Sequence, residues 1–195
     1  MKRDAVVQSR SGIRQLTTVG MLSAICVVMG MTGYGFIPLP MMKATIMHVP
    51  VIIGTILEGP VVGMSIGLLF GLFSIFQAIT TPTILSFAFL NPLVSVLPRI
   101  LIALTAYYTY KLLPAGGSSL RISVAAVVGS LTNTIGVLGM IYVLYAAEFA
   151  TVRGISEETV LGVIGGIAAM NGIPEAVICA LITVPVVLAI RKVRR

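Results

Sequence analysis

Long apolar runs alternate with short polar or proline-glycine breaks along this chain, and the spacing of the breaks predicts six helices, over residues 13–36, 44–57, 60–79, 91–113, 121–147 and 159–193. A helix rises about 1.5 Å per residue, so roughly 20 apolar residues cross the hydrocarbon of a bilayer. The breaks are Pro38-Leu39-Pro40, Glu58-Gly59-Pro60, the stretch from Pro114 to Ser119, and the polar segment from Glu148 to Glu158. Proline and glycine cannot continue a helix comfortably at these points. The second run is short for a span and carries His48 and Pro50, so it is expected to be kinked or partly re-entrant. The last overshoots a bilayer, and Gly172-Ile173-Pro174 is expected to break or tilt it. Residues 80–91 read as a loop folded over one end of the bundle. The first run is too long for a secretory leader and lacks a convincing small-residue cleavage site, so it counts as a helix.

Composition turns this pattern into a fold class. The 195 residues are 57% hydrophobic and 10% charged, with a mean hydropathy of +1.08, too little polar surface to clothe a soluble globule. The expected fold is an all-α integral membrane protein, one domain over residues 1–195, built as a compact bundle of six transmembrane helices. Lys2, Arg3, Arg10, Arg14, Lys111, Arg121, Arg191, Lys192, Arg194 and Arg195 fall on one face of that topology. Lys43 and Arg153 fall on the other and read as solvated surface charges. The asymmetry places both termini in the cytoplasm. The net charge of +7 is explained by topology, and nucleic acid is not an expected partner.

One charge breaks the pattern. Arg99 sits inside an apolar run behind Pro98, where a guanidinium costs from about 3 to more than 10 kcal/mol. A partner carboxylate, a ring of carbonyls and amides, or an anionic ligand must compensate. Helical rise puts Arg99 about 18 Å above Lys111, Asn133 about 18 Å above Arg121, His48 about 15 Å above Glu58 and Glu175 about 24 Å above Arg191. These groups share a band in the middle to outer half of the membrane. Asn91, Gln77, Thr80, Thr81 and Asn171 lie further out, as in a site loaded from outside. Plainer readings stand beside this one. Arg99 and Glu175 form a structural ion pair, His48 is an interfacial or internally satisfied residue, and Asn133 bonds helices together.

Other chemistries find little support. Cys26 and Cys179 lie in apolar segments without metal-ligand or disulfide-framework spacing. Gly63-Met64-Ser65-Ile66-Gly67 matches a hydrolase nucleophile pattern but lies within a continuous apolar helix, not at a strand-to-helix turn. No Walker A sequence is present, so the chain by itself cannot power transport with ATP. An enzyme is not expected, and neither is a metal or a cofactor.

Several phrases carry a family resemblance: His48-Val-Pro-Val-Ile-Ile-Gly54 with Glu58-Gly-Pro60 and the Gly63, Gly67, Gly71 helix; Asn91-Pro-Leu93 leading to Leu97-Pro-Arg99; Gly129-Ser-Leu-Thr-Asn-Thr134; and Asn171-Gly-Ile-Pro-Glu175. Together they resemble the substrate-binding S components of energy-coupling factor (ECF) vitamin transporters, in particular the pantothenate-type branch. The resemblance implies a subunit that captures a vitamin or precursor outside the cell and works with a transmembrane coupling protein and two ATPase subunits, which use the ATP. It implies docking through a small-residue face on the first helix, here Gly20 and Ala24. For pantothenate, Arg99 offers a planar fork to the carboxylate. Asn91, Asn133, Asn171 and His48 suit the amide and hydroxyls, Glu175 a hydroxyl, and Gln77 and Thr81 the outer rim. Phe73, Phe76 and Leu90 are expected as apolar walls. The competing expectation is a stand-alone proton-coupled secondary transporter with Glu175 and His48 as relay.

Overall fold

Prolines and glycines punctuate the helices much as the pattern predicts. The computed structural model describes residues 2–37, 44–114 and 117–194, with side chains from residue 12 onward. The expected break at Pro38-Leu39-Pro40, Lys43, the linker residues Ala115 and Gly116, and Arg195 lie outside the described residues. Helix α1 runs Lys2–Thr32, β1 Phe36–Ile37, β2 Ala44–Thr45, α2 Val49–Glu58, α3 Pro60–Thr80, α4 Ser86–Phe89, α5 Pro92–Ser95, α6 Leu97–Leu112, α7 Ser118–Arg153 and α8 Glu157–Val193. Apart from a two-residue antiparallel bridge pairing Phe36 with Thr45, the described chain is helical. Five stretches among the described residues are long and apolar enough to cross a membrane, while Val49–Glu58 is shorter.

The boundaries differ from expectation where local chemistry intervenes. The first helix stops at Thr32, not residue 36, because Gly33 takes φ +78°, a conformation that glycine accepts without strain. The Gly35 N–H then returns to the Met29 carbonyl at 2.9 Å, and Phe36 passes into β1. The second helix starts at Val49, not residue 44, with Pro50 in its first turn, where a missing N–H does no harm. The expected helix over 91–113 is two pieces that meet at Val96. Pro98 has no N–H to give the carbonyl four residues back, that of Val94, and its ring crowds that turn. Helix α7 continues past residue 147 to Arg153, because Phe149 and Ala150 are buried and hold the extra turns. It breaks internally at Tyr145 (φ −140°, ψ 28°) and ends at Gly154, which is left-handed at φ +65°. Helix α8 runs through Pro174 and Pro185 as one element of 37 residues, so the expected break at Pro174 is absent.

Close backbone approach organises the packing. Gly63, Gly67 and Gly71 lie on one face of α3, against Thr55 and Ala103, the Arg99 backbone, and Ser95 with Val96 respectively. A Cβ at Gly71 would stand 2.7 Å from the Val96 Cα. Gly129 of α7 similarly admits Ile52 and Ala106.

Two apolar clusters result. One joins α1, α2, α3, α6, α7 and α8 through residues such as Ile52, Ile66, Ile102 and Ala125. The other gathers Leu85, Ala88, Val94, Leu138, Phe149 and Ile164 around the 81–96 segment.

At the far end from that segment, charges close the bundle. The Glu58 side chain, 1% exposed, receives Arg14 at 2.8 Å and Arg194 at 2.6 Å, so the two ends of the chain meet on one carboxylate. Beside it, Arg121 donates to the Tyr110 carbonyl at 2.7 Å and Arg191 to the Tyr110 hydroxyl at 2.8 Å, with both guanidinium groups over the Tyr110 ring.

A contrast between two glycines tests this packing. A Cβ at Gly67 would stand 2.9 Å from the Arg99 carbonyl carbon, whereas one at Gly20 would meet nothing within 4 Å. Gly67→Ala is expected to destabilise the detergent-solubilised chain by about 1–3 kcal/mol. Gly20→Ala should be neutral or stabilising by up to about 1 kcal/mol, as helix propensity favours alanine. Denaturation of the two variants side by side checks the difference, and equal effects would refute the close approach of α3 to α6.

Candidate functional site

Between the two apolar clusters lies a cavity of about 410 Å³, within the size range of small-molecule sites. Helix α3 lines it with Phe70, Ser74, Gln77 and Thr81, a stripe at helical spacing. Thr83, Leu85, Ser86 and Phe89 close over it from the 81–96 segment, so the expected loop over one end of the bundle forms a roof. Phe36 and Thr45 of the β bridge, Arg99 of α6, Asn133 and Thr134 of α7, and Asn171 and Glu175 of α8 complete the walls.

Arg99 is 4% exposed and held by what the proline left behind. Its Nη1 donates at 2.7 Å to the Val94 carbonyl, the group Pro98 cannot serve. The guanidinium lies 5.4 Å from the Phe70 ring centroid and 5.7 Å from that of Phe89, each an attractive cation–π distance. Its Nε, buried, has no hydrogen-bond partner among the described residues. Among the described residues it makes no ion pair with Glu175 within 4 Å, although the two charges act on each other. Glu175 is instead committed to neutral donors, the Thr45 N–H at 2.5 Å and the Thr134 hydroxyl at 2.7 Å. The direct ion pair is therefore not the compensation for Arg99; one carbonyl and two aromatic faces are, with a donor left over.

Six of the eight expected ligand residues, Arg99, Asn133, Asn171, Glu175, Gln77 and Thr81, line this one cavity. Asn133 is 3% exposed and its Oδ1 has no partner among the described residues, so it offers an acceptor to the same cavity as Arg99. Gln77 donates to the Gly30 carbonyl at 3.2 Å, tying α3 to α1. His48 and Asn91 do not line the cavity. His48 is fully buried behind Met47, with neither ring nitrogen at hydrogen-bonding geometry, while the Arg99 charge acts on it. It lies one turn from the Ile52–Gly129 contact on helices that run antiparallel, which sets it level with Asn133. Asn91 caps α5 by accepting the Leu93 N–H at 2.9 Å and donates to the Tyr145 hydroxyl at 3.1 Å.

The expected apolar walls are corrected by helical phase. Phe73 packs on Gly30 of α1, and Phe76 and Leu90 are 55% and 47% exposed. Phe70, Phe89, Phe36 and Leu138 take their place, and the polar stripe Ser74, Gln77, Thr81 running on from Phe70 was the signal for the right face. Thr134 and Ser86 had no comparable signal, because a helical threonine or serine usually bonds its own helix, and Thr45 contributes through its backbone N–H, which any residue other than proline could supply. Arg153, expected as a solvated surface charge, lines the cavity and is half-buried. On α1, Gly20 and Ala24 are exposed and make a small-residue patch. Ser65 of the hydrolase-like pattern donates to its own helix at Val61, 3.0 Å away.

Residues 14–187 match the model of the ECF transporter, substrate-specific component, family. This chain belongs to that family. It is also similar to the pantothenic acid transporter PanT of Lactococcus lactis subsp. cremoris, with 31% identity over 171 residues, covering 80% of this chain and 82% of the relative. The pantothenate transporter PanT of Leuconostoc mesenteroides subsp. mesenteroides is 30% identical over 152 residues, covering 73% of this chain and 74% of the relative. The S component is thus a transporter subunit and a multi-pass protein of the plasma membrane. Both relatives are transporters, which fits a role other than catalysis.

The Glu175 arrangement in this S component is testable by a double-mutant cycle. Thr134→Val keeps the shape and removes the donor, which is expected to cost about 1–3 kcal/mol of stability. Made in a Glu175→Gln background, the same change should cost less by about 1 kcal/mol, since the charged acceptor is gone. Unfolding of the four chains in detergent reads the coupling, and strict additivity would refute the contact.

Proposed function

We propose that this S component captures pantothenate from the outer side of the membrane. The observation that carries the reading is that one cavity holds a buried donor on Arg99 and a buried acceptor on Asn133, neither with a partner among the described residues, together with Glu175. Pantothenate has a carboxylate, an amide and hydroxyls with a methyl-bearing centre between them. Arg99 takes the carboxylate through its planar fork. Asn133 and Asn171 serve the amide and a hydroxyl, and Glu175, held by Thr45 and Thr134, accepts a further hydroxyl. Gln77 and Thr81 serve the rim. Phe36, Phe70, Phe89 and Leu138 receive the methyl groups. His48 and Asn91 act from behind, His48 at the floor and Asn91 by fixing the start of the helix pair that carries Arg99.

In this reading residues 1–195 form one six-helix membrane domain, with the stretch around α2 supplying the sixth crossing and both termini in the cytoplasm. The basic residues around Glu58 and Tyr110 support that orientation. Gly20 and Ala24 offer α1 as the face for a transmembrane coupling protein, since small residues admit a neighbouring helix closely. Two ATPase subunits bound to that protein supply the energy, and this chain needs no cofactor of its own.

Calorimetry on the purified chain without ATPases is expected to show saturable pantothenate binding, weakened at least tenfold, about 1.4 kcal/mol, by Arg99→Ala. In vesicles the chain alone should not accumulate pantothenate on a proton gradient. Undiminished binding by Arg99→Ala would remove the residue assignment, and proton-driven uptake by the chain alone would restore the secondary-transporter reading.

A further inference from the structure

Three charged side chains line the cavity among the described residues: Arg99, Arg153 and Glu175. Among the described residues the lining charges are thus two positive and one negative. Arg99 and Glu175 are both buried and lie deep, each 4% exposed, whereas Arg153 is half-buried on the last turn of α7. On a straight helix Arg153 would stand about 30 Å beyond Asn133. Both line one cavity because α7 breaks at Tyr145, which redirects its final segment. That segment is held in place. Phe149 is fully buried, the Arg153 guanidinium lies 5.6 Å from its ring centroid, and the chain turns away at Gly154 immediately afterwards. A solvated surface arginine needs none of these supports.

We infer that Arg153 is the capture residue of the site: it meets the ligand's carboxylate at the opening and speeds its passage to Arg99, so selecting singly charged anions. The inference rests on the pantothenate reading above and adds to it a division of labour between two arginines. A half-exposed charge beside a low-dielectric opening draws an ion of opposite sign from solution and raises the association rate, and salt screens the effect. A buried, hydrogen-bonded charge acts chiefly on dissociation. Arg153 therefore governs arrival, and Arg99 governs residence.

Surface plasmon resonance on the immobilised, detergent-solubilised chain separates the two rates with pantothenate as probe. The wild-type association rate should fall as salt rises. Arg153→Gln should lower that rate about tenfold at low salt and flatten the salt dependence, with dissociation changed by less than about twofold. Arg153→Lys should retain most of the rate, since the charge remains. A flat salt dependence in the wild type, an unchanged association rate in Arg153→Gln, faster dissociation in that variant, or equal damage from Gln and Lys would each overturn the inference. Wild-type chain that binds no pantothenate would sink the substrate reading and this inference together. Wild-type chain that binds, with Arg153→Gln kinetically indistinguishable from it, would sink this inference alone.

Discussion

A guanidinium buried in an apolar bundle is the constraint on which the rest of this structure depends. Arg99 cannot shed its charge, so the surrounding chain must supply acceptors and polarisable surface. The adjacent Pro98 provides the first of these. By lacking an N–H it leaves the Val94 carbonyl without its helical partner, and Arg99 donates to that carbonyl at 2.7 Å. One residue breaks the helix and the next repairs the break with its side chain. The helix interruption at Val96 and the placement of the cation are a single local event. Phe70 and Phe89 then flank the guanidinium, and its Nε is left without a hydrogen-bond partner among the described residues.

The packing around this event is unusually close because it must hold a backbone, not only a side chain. The α3 glycine face lies directly on the Arg99 and Val96 main chain, so α3 brings Phe70, Ser74 and Gln77 to the cavity at a fixed distance from the cation. Helix α8 brings Glu175 from the opposite side, but the carboxylate is held by Thr45 and Thr134 and not by the arginine. Keeping the two charges apart leaves each with capacity for a ligand. A direct pair would have satisfied both groups and left a site with little call on a polar guest. At the other end, Glu58 gathers Arg14 and Arg194, joining α1, the α2–α3 turn and α8 where both ends of the chain meet.

The family places these features in a transporter subunit whose task is selection. In such a component the useful property of the site is a set of buried polar groups that only the right ligand completes, because leaving them unpaired is expensive and rejects near misses. Arg99 Nε and Asn133 Oδ1 have that character. The roof over them, residues 83–89, belongs to the second apolar cluster through Leu85 and Ala88.

Periodicity and charge determined much of this from the sequence alone: an all-helical membrane protein, the approximate helices, and a band of polar groups with Arg99, His48, Asn133 and Glu175 at one depth and Asn91, Asn171, Gln77 and Thr81 further out. These are legible because hydrocarbon tolerates few polar residues, and helical rise converts sequence position into depth. Depth is one coordinate, however, and rotation about each helix and bending along it are set by contacts between helices. Phase is why Phe70 and not Phe73 or Phe76 faces the cavity, and why His48 lies behind Met47. The bend at Tyr145, stabilised by burial of Phe149 and Ala150, is why Arg153 lines the cavity instead of standing in solvent. Whether Glu175 met Arg99 or two threonine donors was likewise undecidable by depth, since both arrangements occupy the same level of the membrane. Only the tertiary structure chose, because the choice depends on which neighbours a side chain meets across helices.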